Sequence, residues 1–274
     1  MKDHIEHGII IDRKKTLIGV TGIGSGAGAT FIASSLAIII GDLVGGAAYI
    51  YEGEDCEHCN LGAYRAFEQL SLGSIFDKRK MFDLFYMVKR GLSIEGRANL
   101  YHKVNWVVPV PEENRKPELK YVSHSYINYS DVKTLPYESI GGKFIIIDTP
   151  AELSEMDKIL CIIDPLPSKV KEGIKIFDKL KKLQESGSDK KILWIINKNN
   201  EFVNQRQLEK FLGTKADYVL DMIPQEEFYR AEYNCTMPAL LRGINRGDLS
   251  KGKNNVFWKT LQQIGRNITF DIGF

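Results

Sequence analysis

Short apolar runs recur along the chain, and between them the apolar positions switch to helical spacing. The runs fall at 16–21 (TLIGVT), 47–51 (AAYIY), 105–110 (NWVVPV), 143–148 (KFIIID), 159–163 (ILCII), 192–196 (ILWII) and 217–220 (DYVL). Their apolar residues are contiguous rather than alternating, as strands covered on both faces require. Residues 30–40 stay apolar for long enough to make a buried helix. Over 168–185, Val170, Ile174, Phe177, Leu180 and Leu183 recur at helical spacing with lysines on the opposite side. Phe257, Trp258, Leu261 and Ile264 predict a further helix over 256–268, docked on the sheet rather than on a membrane. This order predicts an α/β fold: a doubly wound, mostly parallel sheet of about seven strands, with helices on both faces and right-handed crossovers. No internal repeat or low-complexity segment interrupts it.

The 274 residues suit a single domain over 1–274, with irregular insertions expected at about 53–103 and 111–142 over the binding edge. A composition of 43% hydrophobic and 26% charged residues is that of an ordinary globular protein. The 37 basic and 35 acidic residues leave a net charge of +2, which gives no electrostatic case for nucleic acid as the ligand. The N-terminal MKDHIEHGIIIDRKK is charged around a short apolar stretch, unlike a signal peptide. The longest apolar stretch, 31–40, contains two serines and is too short to span a bilayer. A cytoplasmic protein is expected, with membrane contact at most peripheral.

After the first run comes Gly22-Ile23-Gly24-Ser25-Gly26-Ala27-Gly28-Ala29-Thr30, a glycine-rich turn between a predicted strand and a predicted helix. Small residues let backbone N–H groups come close to an anion, and the helix N-terminus adds partial positive charge. Thr30 opens the helix, where its hydroxyl can cap it or meet a magnesium ion. The plainer reading is a turn that needs small residues only for tight packing.

The stretch GSGAGATFIASSLA resembles the deviant Walker A motif of the MinD/ParA-like (SIMIBI class) P-loop ATPases, and looks closest to the CpaE/TadZ pilus-localisation branch. The family's two loop lysines would fall at Gly24 and Ala29, so both are missing. The resemblance implies a P-loop NTPase-like fold that binds ATP or ADP with Mg2+ through Gly24, Ser25, Gly26, Ala27, Gly28, Ala29, Thr30 and Phe31. It also implies weak or no ATPase activity, because the charges set against the β- and γ-phosphates are gone. KFIIIDTPAE resembles the Walker B region, where Asp148 would hold magnesium through a water beside Thr30; Glu152 stands where a glycine is usual. Tyr51-Glu52-Gly53-Glu54 falls at the family's acidic pair, which would make Glu54 the water-orienting catalytic residue. IINKNNEFVN resembles the strand whose asparagine reads adenine, and Asn197 takes that place. DYVLDMIPQEEFYRAEYNCTMP resembles the last strand and its loop, with Pro224 beside the base. The likeness runs over 16–266 and is weakest over 53–142. Arg65 and Arg230 are candidates for a substitute cation. Each landmark also has a plainer reading: Asp148 as a cap after a strand, Asn197 as a turn residue in NKNN, Glu52 and Glu54 as solvated loop residues.

Four cysteines do not suggest a disulfide scaffold. In Cys56-Glu57-His58-Cys59, the thiols of Cys56 and Cys59 have spacing suited to zinc, an iron–sulfur edge or a redox disulfide. No second pair exists in the chain, so a symmetric dimer would have to complete a metal site; two ordinary loop thiols are the alternative. Three function classes stay open: a nucleotide-dependent spatial or assembly switch, a metal- or cluster-handling relative, and a pseudo-ATPase scaffold that binds no nucleotide. The resemblance implies a homodimer and a protein partner such as a pilus or secretion machine.

Overall fold

The computed structural model describes residues 15–52, 65–76, 80–89, 92–111, 114–116, 137, 140–186, 191–234 and 253–270. The strands are β1 (Thr16–Ile23), β2 (Ala47–Tyr51), β3 (Leu100–Tyr101), β4 (Val104–Val107), β5 (Phe144–Asp148), β6 (Lys158–Ile163), β7 (Lys191–Asn199) and β8 (Tyr218–Asp221). They form one eight-stranded sheet in the order β3-β4-β2-β5-β1-β6-β7-β8. Every neighbouring pair is parallel except β3 with β4.

β1 lies between β5 and β6, with Val20 opposite Asp148 on one side and Thr21 opposite Cys161 on the other. From β1 the chain runs through α1 (Ala29–Val44) to β2, leaving the place that β5 fills. After β5 it crosses to β6 on the other side of β1. Where strand order reverses in this way, a crevice opens beyond the carboxyl ends of the strands. The glycine-rich turn leaves β1 at that end.

Two cores explain why the strands read as continuous apolar runs. Along β5, Phe144 and Ile146 join the core under α1 and α8 (Lys253–Phe270), which includes Leu36, Ile40, Leu261 and Ile264. The alternate residues Ile145 and Ile147 join the core under α5 (Pro167–Glu185), with Phe177, Leu180 and Trp194. Both faces are therefore dry, and alternation disappears. At the C-terminal end of α8, the buried Lys158 donates from Nζ to the Ile268 carbonyl at 3.2 Å, which satisfies one of that helix's orphan acceptors.

The described part of 53–103 contains α2 (Arg65–Gln69), α3 (Leu72–Phe76) and α4 (Leu84–Lys89). Leu84, Phe85, Met87 and Val88 of α4 pack into the α5-side core. The eighth strand, β3, was not expected. It has two residues and reaches β4 through His102 and Lys103, both with positive φ (52° and 60°). Positive φ at both central residues is the geometry of a tight hairpin turn. Among the described residues no helix is long and apolar enough to cross a membrane.

Candidate functional site

β1 ends at Ile23, and the next residues alternate in handedness. Gly24, Gly26 and Gly28 have φ of 83°, 73° and 93°, a region costly to any residue with a Cβ. Such alternation folds successive amides into a concave nest suited to an anion. Gly28 caps α1 without any side-chain hydrogen bond, and the first turn carries no acidic residue. The first helical bond runs from the Ile32 amide to the Gly28 carbonyl at 3.0 Å, so the amides of Ala29, Thr30 and Phe31 precede the helical ladder.

Residues 24–31 line a cavity of about 640 Å³, within the range of small-molecule sites. Part of its lining is apolar: Met222, Ile223, Phe228 and Phe257. Phe31 joins that wall to α1, with ring centroids 5.4 Å from Phe228 and 6.0 Å from Phe257. Gln69 and Leu70, at the end of α2, also line it, together with Tyr51 and Thr149. An amide nest and an apolar, aromatic wall lining one cavity match a ligand with an anionic part and a flat ring.

The loop is held from beneath and from one side. Asn197, at 6% exposure, donates from Nδ2 to the Ala27 carbonyl at 2.9 Å. Lys198 donates to the Gly26 carbonyl at 2.5 Å and pairs at 2.8 Å with Asp164, whose side chain is 2% exposed. These bonds fix two loop carbonyls on Asn197 and Lys198. On the α5 side, a Cβ at Gly173 would stand 2.4 Å from the Gly24 nitrogen, and one at Gly24 would stand 2.6 Å from the Lys169 carbonyl oxygen. Ser25 donates its amide to Glu172 at 2.9 Å, while Lys169 donates to the Ser25 hydroxyl at 2.8 Å.

Of the expected site residues outside the loop, Asn197 lines the cavity, while Pro224 and Asp148 do not. Asn197, expected beside a base, donates its amide nitrogen to the loop carbonyl of Ala27. Pro224 is exposed and its carbonyl accepts the amides of Glu227 and Phe228 in α7 (Gln225–Tyr233), the helix that follows α6 (Gln205–Leu212) and β8; its neighbours Ile223 and Gln225 line the cavity. Asp148 is fully buried and is not among the cavity-lining residues. Its Oδ2 accepts from the Tyr49 hydroxyl at 2.8 Å and its Oδ1 from the Thr149 hydroxyl at 3.1 Å. Burial, and then the Asp148 charge beside it, push the Tyr49 hydroxyl's pKa well above its usual value, so Tyr49 stays a donor. Thr30 lines the cavity. The residues present therefore fit a nucleotide's phosphates at the nest and a magnesium ion at Thr30, while the Asp148 carboxylate is turned to other partners.

Glu52 accepts from the Tyr137 hydroxyl at 2.8 Å and the Ala151 amide at 3.2 Å, which ties β2 to the segment after β5. Glu54, Cys56, Cys59 and Cys235 lie outside the described residues, as does the side chain of Arg65. Arg230 is exposed on α7 and is not among the residues lining the cavity. Cys161 is buried in β6, and burial raises its thiol far above the usual range, which suits neither a ligand nor a nucleophile. Among the described residues no group of three or more His, Cys, Asp or Glu could hold a metal ion. Sequence reasoning missed Lys169, Glu172, Lys198 and Tyr49. The two lysines and Glu172 read as solvated helix-face or turn residues, and Tyr49 as one apolar member of a strand.

The arrangement of sheet, switch point and loop is the fold of the MinD/ParA P-loop ATPases. The structure is similar to a ParA family ATPase from Chlorobium tepidum TLS, with a TM-score of 0.59 at 15% identity, covering 92% of this chain and 98% of that one. It is similar to the septum site-determining protein MinD of Pyrococcus horikoshii OT3 complexed with Mg-ADP, at 0.59 and 16%, covering 95% and 98%. MinD in the MinC:MinD cell division protein complex of Aquifex aeolicus gives 0.59 and 12%, covering 93% and 95%. No family model matches the chain, and no curated protein matches it.

Proposed function

We propose that this chain binds an adenine nucleotide, ATP or ADP, and works as a nucleotide-dependent positioning or assembly switch with weak or no ATPase activity. The observation that carries the reading is the nest of Gly24, Gly26 and Gly28 opening α1 at the carboxyl edge of β1, lining a cavity that also has an apolar, aromatic wall. The phosphates would take the loop amides from Ser25 to Phe31, and the base would lie toward Phe228 and Phe257. Magnesium carried by the nucleotide would meet the Thr30 hydroxyl and supply part of the charge neutralisation. The MinD neighbour complexed with Mg-ADP supports the choice of nucleotide.

Slow hydrolysis follows from electrostatics. Phosphoryl transfer relies on cations placed against developing charge. Residues 24–31 carry no charged side chain, and Gly24 and Ala29 stand where the family has its lysines. The protein then signals by occupancy, as a homodimer or through a protein partner; a complex such as MinC:MinD supports that kind of role. The loop's likeness to the CpaE/TadZ branch favours pilus or secretion machinery as that partner. Calorimetry with ATP and ADP tests the reading. Dissociation constants below about 1 mM are expected, and no heat of binding at that concentration would leave the scaffold reading in its place.

A further inference from the structure

α5 begins beside the anion loop and is locked to it by backbone contact. A Cβ on Gly173 would stand 2.4 Å from the Gly24 nitrogen, so the helix and loop cannot approach more closely. From this fixed base the first turns of α5 send two side chains to Ser25. Glu172 Oε1 accepts the Ser25 amide at 2.9 Å. Lys169 Nζ donates to Ser25 Oγ at 2.8 Å and to Glu172 Oε2 at 3.1 Å. A carboxylate thus holds the first amide of the nest, where a phosphate oxygen would bind, and an ammonium stands beside it. The bonds from Ser25, helped by Lys169, hold the Glu172 carboxyl down to about 2, so it is ionised at neutral pH. Glu172 is exposed at 47% and Lys169 half-buried at 31%, and neither belongs to a hydrophobic core, so both can leave the loop without breaking core packing.

We propose that Glu172 and Lys169 form a latch on the anion loop: Glu172 occupies the Ser25 amide until a phosphate group displaces it, and Lys169 then transfers its ammonium from Glu172 to that phosphate. The inference rests on the reading of this loop as a nucleotide phosphate site. It assigns to α5 the positive charge that Gly24 and Ala29 do not supply. Lys198, the other ammonium at the loop, lines the cavity but already has two partners. It is held by the Gly26 carbonyl and by Asp164, a carboxylate with almost no solvent to replace it. Gly24 itself has no room for a lysine, because its Cβ would meet the Lys169 carbonyl at 2.6 Å. A cation can reach the loop from the helix but cannot be built into that position.

The test is calorimetric titration of ATP, ADP and inorganic pyrophosphate into the full chain and its variants. Glu172→Gln should bind each ligand about tenfold more tightly, since a neutral amide competes poorly for the nest. Lys169→Met should weaken each about tenfold, in the parent and again in the Glu172→Gln background. A matched control, Lys179→Met, removes an exposed lysine nearly three turns further along α5 and should stay within about twofold. Pyrophosphate must respond like ATP, because the latch meets phosphate and not base. The latch is overturned if Glu172→Gln binds no more tightly than the parent. It is also overturned if Lys169→Met has no effect in the Glu172→Gln background, or if Lys179→Met costs as much as Lys169→Met. Unaltered binding across the variants removes the latch alone. Absence of binding by both parent and Glu172→Gln, with unfolding midpoints unchanged, removes the latch and the nucleotide reading together.

Discussion

Residues 24–31 carry no charged side chain, whereas the segments that flank them, 164–172 and 197–200, bring Asp164, Lys169, Glu172 and Lys198 into one hydrogen-bonded shell around the loop. The loop contributes shape: three left-handed glycines and a row of amides. The flanks contribute charge and fix the shape in place. In a phosphate loop that carries its own lysine the two jobs fall on one segment. Here they are separated, and substitutions should affect them separately.

The largest effects should come from the backbone contact that joins the two regions. Gly173→Ala puts a methyl 2.4 Å from the Gly24 nitrogen and 2.5 Å from the Ile23 carbonyl carbon, neither of which is a flexible side-chain end. A loss of about 3 kcal/mol is expected in denaturant unfolding, at the upper end for overpacking. Gly24→Lys should cost at least as much, from its φ of 83° and its clash with the Lys169 carbonyl, and should not improve nucleotide binding. Full stability in either variant would mean that α5 and the loop are not locked.

Next comes the underside of the loop. Asn197→Ala leaves the Ala27 carbonyl without the amide that meets it at 2.9 Å in a buried place. An unmatched buried acceptor costs about 2 kcal/mol. Nucleotide affinity should fall with stability, since the loop loses a fixed carbonyl. An affinity that fell with no change in unfolding midpoint would instead put Asn197 on the base, as the sequence suggested. Tyr49→Phe makes the matching test below β5. It strips a 2.8 Å donor from the buried Asp148 carboxylate and should cost about 1.5 kcal/mol. If the variant were as stable as the parent, the Tyr49–Asp148 bond would not be holding that carboxylate away from the cavity.

The same division decides what a reader of the sequence can see. β5 is legible because FIIID is buried along its whole length on two dry faces. α1 is legible because 30–40 is almost wholly apolar, and Ser34 and Ser35 fit its burial by bonding their hydroxyls back to the carbonyls of Thr30 and Phe31. The loop is legible because each positive φ falls on a glycine. β3 is not, since His102 and Lys103 adopt positive φ without the glycine or asparagine that signals a hairpin. The flanking charges are hidden for another reason. Lys169 and Glu172 look like any i,i+3 pair on a solvated helix, and only the crossover that packs Gly173 on Gly24 brings them to Ser25. Asp148 could be picked out, but its partner lies 99 residues away and depends on the pairing of β2 with β5.

The smallest structural effect, and the sharpest functional one, is expected from Ala29→Lys. Ala29 is the first residue of α1, half-buried, and lines the cavity. Its backbone is already helical, so it lacks the constraints that bar lysine from Gly24. Lysine is nearly as good a helix former as alanine, and its charge at a helix N-terminus costs only about 0.5 kcal/mol. The variant should therefore fold with an almost unchanged unfolding midpoint. Its ammonium would stand at the nest from the loop side, opposite Lys169, and nucleotide affinity should rise about tenfold. Single-turnover assays should find near-zero ATP hydrolysis in the parent and a measurable rate in the variant. A parent that already turned over at about 1 s⁻¹, the rate of a competent enzyme, would show that the flanking lysines suffice for transfer as well as binding. A variant that bound more tightly and still did not hydrolyse would show that the loop charge was missing for affinity alone, and that the fixed Asp148 is the second deficit.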